Sequence, residues 1–306
     1  MVKYITKRIG ISILTVLVLV TVVFILVRLM PGDPFNDPKM TPTVRANLNA
    51  YYGLDKPVIQ QYATYLGNLL RGNFGYSMIY PNQTVNNLLA SSFPYSLDLG
   101  IRALVLSLSL GLVFGIISAL NRGNKIDLFF VIVAVIGTSV PDFIMGAILQ
   151  YFFAVKWGLL PIAQYYGFAH TILPSIALGF YTMASISRIM RASMLEVVQQ
   201  DYIKTARSKG LSNFRITWKH QIRNAILPVV TVLGPTVAAV LTGTFVIESI
   251  FAIPGMGKYY VESVQNYDYS MILGTTVFYG TFLVLANMVV DIFYGIVDPR
   301  IRIAGK

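Results

Sequence analysis

Apolar residues along this chain fall into long blocks rather than the short alternations and helical stripes of a water-soluble fold. The block at 9–30 runs 22 residues with Arg28 as its only charge, close to what a helix needs to cross ~30 Å of hydrocarbon. It ends in Met30-Pro31-Gly32-Asp33-Pro34 with no small-residue cleavage site, so a retained transmembrane helix is expected rather than a signal peptide. Further apolar blocks lie at 99–120, 128–155, 171–190, 228–250 and 271–296, which makes six spans with both termini on one side. The third is long and contains Pro141, which removes a backbone donor and predicts a kink or a tilt there.

Two polar stretches interrupt this pattern. In 31–98, Val58, Tyr62, Leu66 and Leu69 recur at three- and four-residue spacing after Pro57, a favoured helix-opening residue, so a small packed lobe is predicted. Residues 191–227 carry seven basic side chains against Glu196 and Asp201, with Gly210 near the middle. They read as two short helices separated by a turn. The expected organisation is a first helix over 1–30, an outer lobe over 31–98 and a five-helix core over 99–306 that includes the inner loop 191–227.

Composition changes the picture chiefly by exclusion. The chain is 55% hydrophobic and only 12% charged, whereas soluble proteins carry about a quarter charged residues. The absence of cysteine excludes thiolate metal sites, iron–sulfur clusters and cysteine nucleophiles. Two histidines, His170 and His220, fall in loops on opposite sides and cannot share a catalytic or metal site. The net charge of +11 would suggest nucleic acid in a soluble protein. Here it tracks sidedness: taking the amino terminus as inside, fifteen Lys and Arg fall on inner segments and six on outer ones. Both termini are therefore expected in the cytoplasm, with lipid rather than nucleic acid as the surrounding partner.

Candidate chemistry is sparse. Ser107, Gly111, Gly115 and Ala119 fall four apart and form a small-residue stripe suited to close helix packing in lipid. Charges at or near membrane depth are Asp98, Arg102, Asp142, Arg188, Glu248 and Asp291, each a functional hypothesis by default. Asp98 and Arg102 are spaced to pair on one helix, and Glu248 is placed within a turn of the outer boundary, near water. Gly255-Met256-Gly257-Lys258 is not a phosphate loop: the glycine required five residues before Gly257 is Ala252, and Tyr259 follows the lysine. The Asn82-Gln83-Thr84 sequon is assigned no role.

Five strings in order carry a resemblance that composition does not. They are Arg28-Leu29-Met30-Pro31-Gly32-Asp33-Pro34; Tyr52-Gly53-Leu54-Asp55-Lys56-Pro57 with Ala90-Ser91-Ser92-Phe93-Pro94; and Asp201-Tyr202-Ile203-Lys204-Thr205-Ala206-Arg207-Ser208-Lys209-Gly210 with Arg223-Asn224-Ala225-Ile226-Leu227-Pro228. The fourth runs from Val246-Ile247-Glu248-Ser249 through Phe251 and Pro254 to Gly257, and the fifth comprises Asn287, Asp291, Tyr294 and Asp298-Pro299-Arg300-Ile301-Arg302. Over essentially its whole length the chain resembles the permease subunits of bacterial ATP-binding-cassette importers for peptides, and within them the first permease of oligopeptide systems. The inner loop is similar to the segment by which such permeases contact their ATPase, commonly written Glu-Ala-Ala, three residues, Gly, nine residues, Ile-x-Leu-Pro. Here Lys204-Thr205-Ala206 and Gly210 stand in its first half, Arg223 lies thirteen residues past Gly210, and the proline is delayed to Pro228.

The resemblance implies an all-α, polytopic membrane protein with six transmembrane helices, the type I importer permease fold and a small extracytoplasmic lobe, in the bacterial cytoplasmic membrane. It implies ATPase coupling through Asp201, Tyr202, Ala206, Arg207, Lys209 and Gly210, with Ala206 and Gly210 supplying the low bulk for a helix seated in a partner's groove. The implied partners are a second permease, two ATP-binding subunits or domains and an extracytoplasmic peptide-binding protein. ATP and Mg belong to the ATPase partners, and this chain binds no cofactor of its own. The substrate path is unassigned. Dipeptide, glutathione and nickel-complex importers are the alternatives within the family, with the string ending at Pro94 tilting toward oligopeptides. An ion-coupled secondary transporter and a membrane-embedded hydrolase are the alternatives outside it; the second lacks a triad.

Overall fold

A computed structural model describes residues 2–31, 41–242 and 245–297. The strings at 32–40 and from 298 onward lie outside the described residues, as does the side chain of Asp291. The regular elements among the described residues are all helices, apart from a single isolated antiparallel bridge between Tyr76 and Thr84, and there is no sheet among them. Among the described residues five helices are long and apolar enough to cross a membrane, and a sixth span results if one bent pair is counted as one.

The described residues within 1–94, with 255–288, form one compact unit. Helix α1 (Val2–Leu29) buries Val20, Val23, Phe24 and Val27 and leaves Leu14, Val18 and Leu26 exposed, as a lipid-facing helix with one packed stripe does. Val23, Phe24 and Val27 join Tyr269, Ile272 and Leu273 in one apolar cluster, to which Leu54, Tyr62 and Tyr65 add. Arg28 lies with its guanidinium 4.9 Å from the centre of the Phe24 ring and 5.5 Å from that of Tyr269, aromatic faces that favour a cation. Helix α2 (Pro42–Tyr52) and helix α3 (Val58–Leu70) follow, the second beginning after Pro57 as its apolar spacing indicates. The lobe is tied by polar contacts: the Tyr52 hydroxyl donates to the Ser77 carbonyl at 2.9 Å, Ser77 to Asp268, and Tyr80 to Glu262. Burial, together with the Glu262 carboxylate, raises the Tyr80 pKa, so the phenol stays a donor.

The described residues within 95–254, with 289–297, form the second unit. Helix α4 (Val85–Leu120) starts fourteen residues before the apolar block that foretold it. Its first turns carry Asn86, Asn87, Ser91 and Ser92, which lower hydropathy without opposing a helix; Ser92 returns its hydroxyl to the Leu88 carbonyl at 2.7 Å. Helix α5 (Lys125–Ser139) ends where proline dictates. The residue before a proline is driven out of the helical region, and Val140 is extended at φ −92, ψ 122. Helix α6 (Asp142–Leu149) restarts at a bend of 114° and loosens into a wider helical turn over Gln150–Lys156. The Pro141 expectation is thus met by a break rather than a tilt.

Helix α7 (Phe168–Val198) is the most buried of the long helices. The small-residue stripe of α4 packs on it as expected. Ser107 is fully buried, and a Cβ placed on Gly111 or Gly115 would fall 2.8 or 2.6 Å from the backbone carbonyls of Met183 and Ser187. Only glycine admits that approach. His170 sits in the first turns of α7 rather than in a loop, against the Tyr166 ring. Helix α8 (Asp201–Ser208), α9 (Asn213–Ile216), a wide turn over Thr217–Ile222 that holds His220, and α10 (Arg223–Ala225) lead into α11 (Leu227–Thr242) and α12 (Phe245–Ile250). Helix α13 (Met256–Gln265) belongs to the first unit, and α14 (Tyr269–Val297) completes the described chain.

Candidate functional site

The segment between α7 and α11 is built by local rules that explain its residues one by one. Asp201 occupies the first turn of α8, where the helix dipole favours an acid, and Arg207 the last, where it favours a base. Asp201 also pairs with Lys204 at 2.8 Å, fully in solvent. The helix ends in a paired-hydrogen-bond cap: Gly210 N–H donates to the Arg207 carbonyl at 2.9 Å and Leu211 N–H to the Ala206 carbonyl at 3.3 Å. That cap needs a left-handed residue, and Gly210 has φ +73. Ser212 then caps α9 by accepting from Arg215 N–H at 3.4 Å.

Helix α8 has two unlike faces. Ile203 (0% exposed) and Ala206 (6%) point inward and join Met190, Met194 and Val197 of α7, Ile216, Ala225 and Val229 in one apolar cluster. Asp201, Tyr202, Lys204, Thr205, Arg207, Ser208, Lys209 and Gly210 point outward and are exposed. The structure therefore places Ala206 apart from the other candidate coupling residues. Its small side chain lets α8 lie close on its own chain, while Asp201, Tyr202, Arg207, Lys209 and Gly210 share the solvent side. Two short helices with a turn at Gly210 were legible in the sequence; which way Ala206 faces was not.

Just above this segment lies an ion pair that the sequence reading missed. Arg191, there counted as a loop charge, is on α7, and its Nε and Nη2 donate to Asp127 at 2.8 Å each. The Ser118 hydroxyl donates to the same carboxylate at 2.5 Å and Gly123 N–H at 3.0 Å, so the end of α4, the start of α5 and α7 meet at one buried acid. Sixty-four residues separate the partners; the available signal was an acid and a base at the same expected membrane boundary.

The other singled-out charges divide. Asp98 and Arg102 pair at 2.7 Å as their spacing indicates, and Tyr165 donates to the same carboxylate oxygen at 2.6 Å. Glu248 is 1% exposed, not beside water as its sequence position implied. The chain turns back at Ala252 (φ +50), with Ile253 N–H on the Glu248 carbonyl at 2.8 Å, and Ile247, Phe251 and Ile253 are buried around that turn. Arg188 is exposed on α7, with one long hydrogen bond to Thr138 at 3.4 Å, and Asp142 is half-buried at the start of α6. Among the described residues no group of three or more His, Asp or Glu is placed to hold a metal ion.

A family model described as the inner membrane component of binding-protein-dependent transport systems matches residues 111–303, and one for the amino-terminal part of such membrane components matches residues 1–100. The chain is 47% identical over its whole length to the dipeptide transport system permease protein DppB of Bacillus subtilis strain 168, all of which is covered. It is 42% and 40% identical to the oligopeptide transport system permease proteins OppB of Haemophilus influenzae and Escherichia coli K12, with 99% of this chain and 100% of each relative aligned. In fold it is similar to a solved amino acid ABC transporter with histidines, at TM-score 0.52 and 17% identity over 68% of this chain and 93% of that one. An all-helical, multi-spanning membrane architecture and full-length likeness to both kinds of peptide permease lead to one conclusion: the chain belongs to the inner membrane components of binding-protein-dependent transport systems, and is a bacterial peptide ABC-transporter permease subunit.

Proposed function

We propose that this permease works with both termini in the cytoplasm, the region 31–98 outside, and the segment 191–227 as its contact with the ATPase. The observation that carries the reading is the division of α8 into an inward face of Ile203 and Ala206 and an outward face bearing Tyr202, Arg207 and Lys209. A helix so anchored cannot move without the ends of α7 and α11 that share its core. Force applied to the outward face by ATP binding is thereby delivered to two spans, shifting the population between inward-open and outward-open arrangements.

In this reading a second permease supplies the other half of the path, two ATP-binding subunits or domains supply energy, and an extracytoplasmic binding protein delivers peptide. The path is needed because a peptide's backbone amides, unpaired in hydrocarbon, cost several kcal/mol each, on the order of 2–7. The full-length relatives include dipeptide and oligopeptide permeases, with a dipeptide permease at 47% identity. The substrate is accordingly a short peptide, with both dipeptide and oligopeptide permeases among the relatives.

The test is copurification of the ATPase subunits with the charge-reversed double variant Arg207→Glu, Lys209→Glu. Both side chains are solvent-facing, so membrane abundance should hold while ATPase association falls about tenfold or more, ~1.4 kcal/mol. Wild-type recovery of the ATPase with that variant would refute the coupling assignment.

A further inference from the structure

Two clefts in the second unit share Thr138, Ser139 and Tyr181. One, of about 990 Å³, runs along α5 and α7 past Ser185 to Arg188; the other, of about 430 Å³, runs past Pro141 to Asp142. They adjoin at those three residues as a groove with hydroxyl groups along it, the Arg188 cation lining the first part and the Asp142 acid the second.

Of the charged residues lining these clefts, Arg191 is paired with Asp127, whereas Arg188 and Asp142 have no ion pair among the described residues. Asp127 with Arg191 and Asp98 with Arg102 satisfy each other at 2.7–2.8 Å. Arg188 has one neutral partner at 3.4 Å, and among the described residues Asp142 has no ion pair or side-chain hydrogen bond. Both belong to helices that make up candidate spans, where an unpaired charge is a functional hypothesis by default. The break at Val140 and Pro141 sets Asp142 off the line of α5 by the 114° bend, so that the acid and the cation border one groove rather than one helix stripe.

We infer that this groove is where the permease holds a peptide in transit, with Arg188 taking the terminal carboxylate and Asp142 the terminal ammonium. The inference rests on the peptide-importer reading and adds a substrate-path assignment to it. Arginine suits the first role because its planar fork matches a carboxylate. Ser139 and Ser185 offer hydroxyls to the peptide amides, Thr138 being engaged with the Ala134 carbonyl and Arg188.

The test uses the assembled transporter with its ATPase and binding-protein partners and one cysteine, at Ser139 or, as a second probe, at Ser185; the chain has none of its own. Anionic and cationic methanethiosulfonate reagents of similar size report the local field. At Ser185, in the cleft that Arg188 lines and Asp142 does not, the anionic reagent should react about tenfold faster, in the range by which a charged cleft enriches a counter-ion. Arg188→Gln should abolish that preference, and Asp142→Asn should increase it. During ATP-driven turnover a free dipeptide should slow labelling and its C-terminal amide should slow it less, a difference that disappears in Arg188→Gln. ATP-driven uptake is measured in parallel with the unaltered chain. Absence of that uptake would contradict the importer reading itself. Normal uptake, with labelling indifferent to Arg188→Gln and to peptide at both probes, would overturn the groove assignment alone.

Discussion

Asp127 and Arg191 meet through two parallel hydrogen bonds of 2.8 Å, at the point where α4, α5 and α7 converge. The acid is 5% exposed, and Ser118 and Gly123 fill its remaining acceptor positions. A buried carboxylate so completely partnered is stable only while the guanidinium stays, because removing one partner leaves a charge in a poorly solvated place.

Removing either partner should be strongly destabilising. Arg191→Met or Asp127→Ala is expected to cost ~3–5 kcal/mol, read as a lower thermal midpoint in detergent. The double variant should recover part of that loss, since it leaves no unpaired charge. Additive losses would show that the two side chains act independently.

Close packing of α4 on α7 predicts a second effect. A Cβ on Gly115 would stand 2.6 Å from the Ser187 carbonyl and 2.7 Å from Met190 Cβ. Gly115→Leu should cost at least ~1–3 kcal/mol and lower membrane abundance. Gly10→Leu, where a Cβ meets nothing within 4 Å, is the matched control and should be neutral or mildly stabilising. Equal behaviour of the two variants would contradict the stripe's role.

Tyr165 gives a pH signature. Its phenol is pushed up to about 12, first by burial and then by its hydrogen bond and proximity to the Asp98 carboxylate. The fold thus favours the neutral phenol over an unfolded one that ionises near ~10. The contribution is complete below ~10 and is lost as pH rises to the folded value. Midpoints recorded between neutral pH and that range should fall less steeply for Tyr165→Phe than for the wild type; parallel curves would remove Tyr165 from the account.

Sidedness is tested by single cysteines in a chain that has none. Gln83 and Asn213 are both exposed. A membrane-impermeant thiol reagent applied to intact cells should label Gln83→Cys and leave Asn213→Cys untouched until the membrane is opened. Labelling of Asn213→Cys from outside would reverse the orientation and move α8 away from any cytoplasmic ATPase.

How much of this was legible in the sequence depends on whether the cause is local. Pro57 opening α3, Pro141 breaking the third span and the four-residue spacing of Ser107, Gly111, Gly115 and Ala119 all act within a few residues, and the structure follows each. The start of α4 at Val85 was hidden because its first turns are polar, and hydropathy registers lipid rather than helix. The Asp127–Arg191 pair was hidden by sequence distance. Ala206 was read as a contact for a partner because small residues suit any close approach, and only the fold shows that this approach is to its own chain. Glu248 was judged by nearness to a span end, whereas a backbone turn at Ala252 decides its burial.

The central claim is that peptide movement through this subunit is driven by ATP hydrolysed on partners. The most direct measurement is uptake of a labelled dipeptide into vesicles carrying the purified complex, with ATP supplied on the ATPase side and binding protein on the other. The account predicts uptake that requires ATP and the ATPase subunits, and that ignores an imposed proton or sodium gradient. Uptake by this chain without ATPase subunits, driven by such a gradient, would contradict it.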